Sequence, residues 1–344
     1  HINQMKNSVQ NYRNVLNDTR DISQNKKLEE EWHKIETGAT LESFKRSFLA
    51  WKKNNAPEEP VKKARLKPTA IVNAFEDIIN ELMPESNPLG LPDSRENKYS
   101  PYKFPVNHND ILFLTDIHVP YHNIPALTAA LKYGLENEVN TIYINGDLID
   151  FYAISRFQKD PRKRDLASEI YMARDFLYTL RRLFPTQAIY FKAGNHDIRW
   201  DHYLINNASD LVGIEEFSLE SILHLKQLNI TFIPDKQLVK MGKLIALHGH
   251  EFGSSMFSPV NIARGLYLRA KDNAICGHHH QTSEHTEPNI NGRVTTCWSV
   301  ACLCELHPDY MPINKFTHGF AHVKVFDNEE FEVTNYRIVE GKIK

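Results

Sequence analysis

No apolar run in this chain approaches the ~18 residues a membrane-spanning helix needs, so no membrane partner is expected. No charged stretch followed by an apolar core opens it, and no secretory signal is expected. Cysteine is scarce: Cys276, Cys297, Cys302 and Cys304 lack the paired spacing of a zinc finger. They read as buried reduced thiols, which favours a cytoplasmic setting. Neither sign of charge dominates, with 41 Lys and Arg against 43 Asp and Glu and a net of −2. No overall field therefore draws the protein to nucleic acid. What the chain does have is histidine, 17 in its 344 residues, concentrated between His196 and His322. Imidazole is the commonest transition-metal ligand, so that stretch needs close reading.

Residues 1–83 are polar and helical in pattern. Leu28–Ile35 forms one stretch; a second, capped by Thr40, carries Leu41, Phe44, Phe48 and Trp51 on one face. Gly38 between them permits a helix–turn–helix, and Lys45, Arg46, Lys52 and Lys53 on the second stretch suit a phosphate backbone. Glu29, Glu30 and Glu31 oppose that reading, and the apolar face equally suits packing on the rest of the protein or on a second subunit. Residues 84–107 hold Pro84, Pro88, Pro92, Pro101 and Pro105, the composition of a linker or a wrapping arm.

From residue 108 onward, strands and helices alternate. Ile111–Thr115, Thr141–Asn145, Ala188–Ala193, Ile230–Ile233, Leu244–His248 and Ala274–Cys276 read as buried strands. Pro125–Glu138 and Leu166–Phe184 read as amphipathic helices. Phe320–Phe326 and Phe331–Ile338 read as a closing hairpin turned at Asp327-Asn328. The expected fold is α/β, a two-layer β-sandwich of mixed sheets flanked by helices.

Five short motifs fall where those strands end. They are Asp116-Ile-His118, Gly146-Asp147-Leu-Ile-Asp150, Gly194-Asn195-His196-Asp197, His248-Gly-His250 and Gly277-His278-His279-His280. Side chains at strand ends are held rigidly at the carboxyl edge of an α/β sheet, where such folds place their sites. Carboxylate and imidazole without thiolate suit first-row divalent ions: Mn first, with Fe, Zn, Ni and Co admissible. A carboxylate can bridge two such ions. A pair ~3.5–4 Å apart is the usual clamp for in-line displacement at phosphorus, and it lowers the pKa of bound water from ~15.7 to ~7.

In motif order and content, the stretch from about residue 110 to 325 resembles the calcineurin-like metallophosphoesterase superfamily: D-x-H, G-D-x-x-D, G-N-H-D/E, H, G-H-x-H. The resemblance implies a phosphoric ester hydrolase with two metal ions. One ion would take Asp116, His118, Asp147 and His280. The other would take Asp147, Asn195, His248 and His278, with Asp147 shared and a metal-bound hydroxide as nucleophile. His196 would contact the phosphate and protonate the leaving oxygen, Asp197 would orient its ring, and Asp150 would support the ligands from behind. His279 reads as a neighbour of ligands, His250 as a residue behind them or facing substrate, and His122 and His202 as surface residues.

In the protein-phosphatase branch an arginine follows the last Asp of the second motif and binds the phosphoryl group. Here Phe151 and Tyr152 follow Asp150. Arg156 or Arg199 would have to supply that contact, since guanidinium matches phosphate oxygens bidentately. The continuation Phe151-Tyr152-Ala-Ile-Ser-Arg156 resembles phage and prophage phosphoesterases, and the Gly-Asp-Leu-x-Asp and Gly-Asn-His-Asp forms resemble the repair-nuclease branch. A phosphodiester substrate is therefore expected, with DNA or RNA as one candidate. The alternatives are a phosphomonoester or pyrophosphate of a nucleotide or other small molecule, and a non-catalytic scaffold.

Overall fold

Short runs of β-branched and aromatic residues with almost no polar side chain, such as Ile-Leu-Phe-Leu at 111–114, cannot lie on a surface. They need apolar cover on both faces. In the computed structural model, which describes residues 95–96, 98–253 and 260–344, they receive it. The chain divides into two compact units, residues 1–95 and 96–344, and the fold described is the second. The helical segment expected over residues 1–83 lies outside the described residues.

The strands in chain order are β1 (Tyr102–Lys103), β2 (Asp110–Leu114), β3 (Thr141–Asn145), β4 (Ala188–Lys192), β5 (Ile230–Ile233), β6 (Val239–Met241), β7 (Leu244–Leu247), β8 (Ala274–Cys276), β9 (Ser283–Pro288), β10 (Val294–Ser299), β11 (His318–Val325), β12 (Phe331–Val339) and β13 (Lys342–Ile343). The helices are α1 (Ile124–Glu136), α2 (Leu166–Leu183), α3 (Arg199–Asn207), α4 (Leu219–Ile222) and α5 (Ile262–Ala270). One sheet runs β13-β12-β11-β2-β3-β4-β5 and the other β1-β6-β7-β8-β10-β9. In the first, β2 to β5 are parallel and β11 is antiparallel to β2. In the second, β7 and β8 are parallel. The architecture is thus the expected α/β one, with two mixed sheets flanked by helices.

The period of two along β2 separates two cores. Ile111 and Phe113 face the other sheet and pack with Tyr143, Val239, Leu244 and Ile275. Leu112 and Leu114 face the helices and pack with Leu127, Ala130, Leu177 and Leu180. Asn123 caps α1 by accepting from the Ala126 N–H, and Asp165 caps α2 by accepting from the Ser168 N–H.

Several elements have no clear pattern in the sequence. β9 is polar along its length (Ser-Glu-His-Thr-Glu-Pro) and exists because β10 pairs with it. From the expected linker, Tyr102–Lys103 pairs with Val239–Lys240, and Phe104 stacks on Tyr190 with ring centres 4.2 Å apart. This end of the Pro-rich stretch therefore wraps the sheet.

Candidate metal centre

Parallel neighbours carry their C-terminal ends to one edge of a sheet. β2, β3 and β4 run out into Asp116, Asp147 and Asn195, while β7 and β8 run out into His248 and the 278–280 turn. Turning there is costly. Asp116, His118, Asp147, His278 and His280 all take left-handed backbone, with φ of 54, 50, 52, 67 and 55°. For an L-residue this costs ~1–2 kcal/mol each. Main-chain bonds hold the turns: Asp116 N–H to the Gly146 oxygen (3.1 Å), His118 N–H to the Asp147 oxygen (2.9 Å) and Asp150 N–H to the Val119 oxygen (2.9 Å). Strain of this kind concentrated in one place is characteristic of a functional site. Gly277 is required for packing there, because a Cβ would overlap Thr115 Oγ1 and Asp116 Oδ2.

The imidazole tautomers follow from their partners. His118 Nδ1 lies 3.0 Å from Asp150 Oδ2, and His248 Nδ1 lies 2.7 Å from the Asn145 carbonyl oxygen. Both partners only accept, so each ring donates from Nδ1 and turns the Nε2 lone pair inward. His118 Nε2 is 3.2 Å from His280 Nε2 and 3.6 Å from Asp147 Oδ2. His280 Nε2 is 3.2 Å from Asp116 Oδ1. On the other side, His248 Nε2 is 3.2 Å from Asp147 Oδ2 and 3.2 Å from Asn195 Oδ1. The ligand atoms of Asp147, His248 and His278 lie within 4.8 Å of one another, as do those of Asp116, His118 and Asp147.

These spacings fit metal ions. Two donors each ~2.0–2.2 Å from one ion, at the ~90–109° of octahedral or tetrahedral geometry, stand ~2.8–3.6 Å apart. Asp116 Oδ1 is fully buried and makes no hydrogen bond, while its Oδ2 accepts from Thr115 Oγ1 (2.7 Å) and the His278 N–H (2.8 Å). A buried carboxylate oxygen left bare among imidazoles is a cation ligand in waiting. Burial disfavours charge on Asp147, but the rings of His248, His196 and His118 outweigh it and hold its carboxyl well below the carboxylate range. Burial likewise opposes protonation of His248, and the Asp147 and Asp116 carboxylates overcome it, raising His248 to about 9. The field that draws a proton there is one that draws a cation.

The structure departs from the sequence expectation around His196. Asp197 does not touch the imidazole. It is fully buried, and its carboxylate accepts from the N–H groups of Asp147 (2.7 Å), Gly194 (2.7 Å) and Ile149 (3.2 Å), tying two motif turns together. Burial and the Asp147 charge push it up to about 7. The His196 ring instead meets Asp150, its Nδ1 lying 3.2 Å from the main-chain oxygen and 3.2 Å from Oδ2. Arg199 Nη2 stands 3.0 Å from His196 Nε2. A guanidinium has no acceptor, so Nε2 accepts and Nδ1 carries the proton. Asp150 thus supports both His118 and His196. His196 Nε2 is 4.0 Å from Asp147 Oδ2.

Other candidates fall as follows. Arg156 is exposed, its guanidinium 5.3 Å from the Phe157 ring centre, whereas Arg199 also donates to the Asp150 oxygen at 2.8 Å. His250 lies behind the ligands, its ring centre 5.3 Å from that of His248 and its Nε2 3.7 Å from Asp235 Oδ2. His202 is exposed; His122 is not a surface residue but half-buried, bridging the backbone of Cys304. All four cysteines are free and buried, and Cys304 Sγ sits 3.8 Å from His280 Nδ1. Sequence reading missed Glu251, whose carboxylate accepts from the N–H groups of His248 (2.9 Å) and Gly249 (2.6 Å) and pairs with the buried Lys192 at 2.8 Å. The available signal was Lys192, a lysine ending a buried strand and therefore needing a counter-charge.

The calcineurin-like phosphoesterase family matches residues 110–293, more than half of the chain, and the chain belongs to that family. It is 26% identical over 199 residues to the Gene 54 protein of Mycobacterium phage L5, covering 55% of this chain and 76% of the phage protein. The Gene 54 protein of Mycobacterium phage D29 is 27% identical over the same length. Among solved structures, Vacuolar Protein Sorting 29 from Cryptosporidium parvum aligns at 13% identity and a TM-score of 0.38, covering 69% of this chain and 94% of that one. Yfce, a phosphoesterase from E. coli, aligns at 15% identity and a TM-score of 0.32, covering 66% and 98%. No helix among the described residues is long and apolar enough to cross a membrane.

Proposed function

We propose that this protein hydrolyses a phosphodiester with two divalent ions, Mn in the first place. Asp116, His118, Asp147 and His280 would hold one; Asp147, Asn195, His248 and His278 would hold the other. The observation that carries the reading is the placement of Asp147 Oδ2, 3.6 Å from His118 Nε2 and 3.2 Å from His248 Nε2. One oxygen faces both donor groups, as a bridging ligand must. Bound ions would supply acidified water and neutralise charge at phosphorus. His196, its Nδ1–H held by Asp150, keeps Nε2 towards Asp147 and Arg199; with the Arg199 N–H turned to a phosphate oxygen, Nε2 would be free to take up a proton and pass it to a leaving oxygen. Arg199 contributes a guanidinium for a non-bridging phosphate oxygen.

That guanidinium also favours a second reading. The phosphoryl-binding arginine absent after Asp150 is matched by Arg199, 3.0 Å from His196 Nε2, and a monoester dianion gains most from it. A substrate panel with Mn²⁺ separates the two: bis-p-nitrophenyl phosphate, p-nitrophenyl phosphate, cyclic nucleotides, and single- and double-stranded DNA. The diester reading requires the higher kcat/KM on bis-p-nitrophenyl phosphate. A tenfold preference for the monoester would replace it with a phosphomonoesterase.

A further inference from the structure

The segment that leaves the metal centre after Asp150 differs in charge from the rest of the molecule. Between residues 156 and 164 stand Arg156, Lys159, Arg162, Lys163 and Arg164 against the single acid Asp160, in a chain of net charge −2. Arg156, Arg162, Lys163 and Arg164 are exposed. Carboxylates cancel part of this charge, since Asp160 holds Arg162 at 2.8 Å and Lys163 pairs with Asp309. Arg156 and Arg164 have no carboxylate partner among the described residues.

The segment is built rather than loose. The Tyr152 and Ala153 N–H groups donate to the Glu169 carboxylate at 2.8 and 2.9 Å, and the Tyr152 hydroxyl accepts from the Asp160 N–H at 2.8 Å. Phe157 is 63% exposed with the Arg156 guanidinium over its ring. Most of that residue is open to solvent rather than packed in the fold. Arg164 and Tyr203 line a cleft of about 270 Å³ together with Ala153, Ile154, Pro161 and Leu166. Ala153 follows Asp150 by three residues and Tyr203 lies one turn beyond Arg199, so the cleft is built on the two segments that also carry Asp150 and Arg199.

We propose that residues 156–164 are a docking surface for single-stranded nucleic acid that leads its backbone to the metal centre. The basic side chains face phosphates while Phe157 and Tyr203 stack on bases. This rests on the phosphodiester reading. Interleaved cations and exposed rings are what a single strand uses, since every base offers a π-face and every linkage a charge. A mononucleotide offers one phosphate group to a segment whose cations without a carboxylate partner among the described residues, Arg156, Lys159 and Arg164, are spread over nine residues. An acidic peptide would meet the charges but leave the rings without a role.

The test is fluorescence anisotropy of the Mn²⁺-loaded protein with labelled phosphorothioate oligonucleotides, single- and double-stranded, over a range of salt. The quadruple variant K159Q/R162Q/K163Q/R164Q should bind the single strand at least tenfold more weakly. Its slope of log Kd against log salt should fall by ~1.4, at ~0.7 for each phosphate met by Lys159 and Arg164, and by up to ~2.8 where Arg162 and Lys163 exchange Asp160 and Asp309 for phosphate. F157A should weaken single-strand binding by ~5–150-fold, the share of one stacked base, with the salt slope unchanged. Unaltered affinity in the quadruple variant, or tighter wild-type binding to the duplex, overturns the proposal. Turnover of bis-p-nitrophenyl phosphate separates the two readings. If the wild type cleaves it but binds no oligonucleotide, the docking surface fails and the diesterase stands. If it fails to cleave it while the quadruple variant still loses oligonucleotide affinity, the diesterase reading fails and the surface stands.

Discussion

Replacing Lys192 by Met should unseat the turn that carries His248. The Lys192 side chain is completely buried at the end of β4, its ammonium 2.8 Å from Glu251 Oε1 and donating also to the Asp235 main-chain oxygen. Glu251 in turn holds the N–H groups of His248 and Gly249. Removing one partner of a buried pair costs ~3–5 kcal/mol. The N–H bonds retained by Glu251 put Lys192→Met near the lower end, about 3 kcal/mol. Glu251→Gln leaves a buried ammonium facing carbonyls and one amide oxygen to serve two N–H groups, so about 4 kcal/mol. At ~2–4 °C per kcal/mol for a unit of this size, Lys192→Met should lower Tm by ~6–12 °C. The double variant should be less destabilised than the sum of the singles by at least ~2 kcal/mol, because neither charge is then left alone. The pH dependence has a definite sign. Burial raises Glu251, but Lys192 outweighs it and holds it at about 2, below its unfolded value of ~4.3. Its stabilisation is therefore present above pH ~4.3 and lost as pH falls towards 2, and in Lys192→Met that loss should begin at higher pH. Thermal and urea unfolding of the four proteins between pH 3 and 8 measures all of this. Single variants within ~1 kcal/mol of wild type, or strict additivity, would refute the assignment of Lys192 and Glu251 as a coupled support.

Asp147→Asn should lose metal from both positions and nearly all turnover, whereas His196→Ala should keep its metal content and lose ~10²–10⁴ in kcat; elemental analysis beside steady-state kinetics decides it. Arg199→Ala should cost ~10–150-fold in kcat/KM on bis-p-nitrophenyl phosphate, the ~1.5–3 kcal/mol of a charge-assisted bond, with Arg199→Lys recovering part; an equal loss in both variants would speak against a phosphate contact. Burial raises Glu169 to about 7, so its contribution to stability is full below its unfolded value of ~4.3 and fades as pH rises through ~7. Glu169→Gln should flatten the fall of Tm between pH 5 and 8, and parallel curves would exclude that burial effect.

The sequence alone determined the strands that need cover on both faces, because an uninterrupted run such as Ile-Leu-Phe-Leu at 111–114 leaves no exposed alternative. It also determined which side chains cluster, because each motif follows directly on such a strand. It did not show β9, whose polar residues are in a sheet only because β10 offers a partner, nor Tyr102–Lys103, whose pairing with β6 is set by residues far along the chain. The support of the centre was equally hidden. The family resemblance made Asp197 the expected partner of the His196 ring, yet that carboxylate takes the N–H groups of Asp147 and Ile149 from the second motif and of Gly194 from the third, and the ring is left to Asp150 and Arg199. The pairing of Lys192 with Glu251 likewise spans two sheets. Local pattern reports which groups must be buried; which of them meet is fixed by how the two sheets stack, and that is decided by contacts between residues distant in the chain.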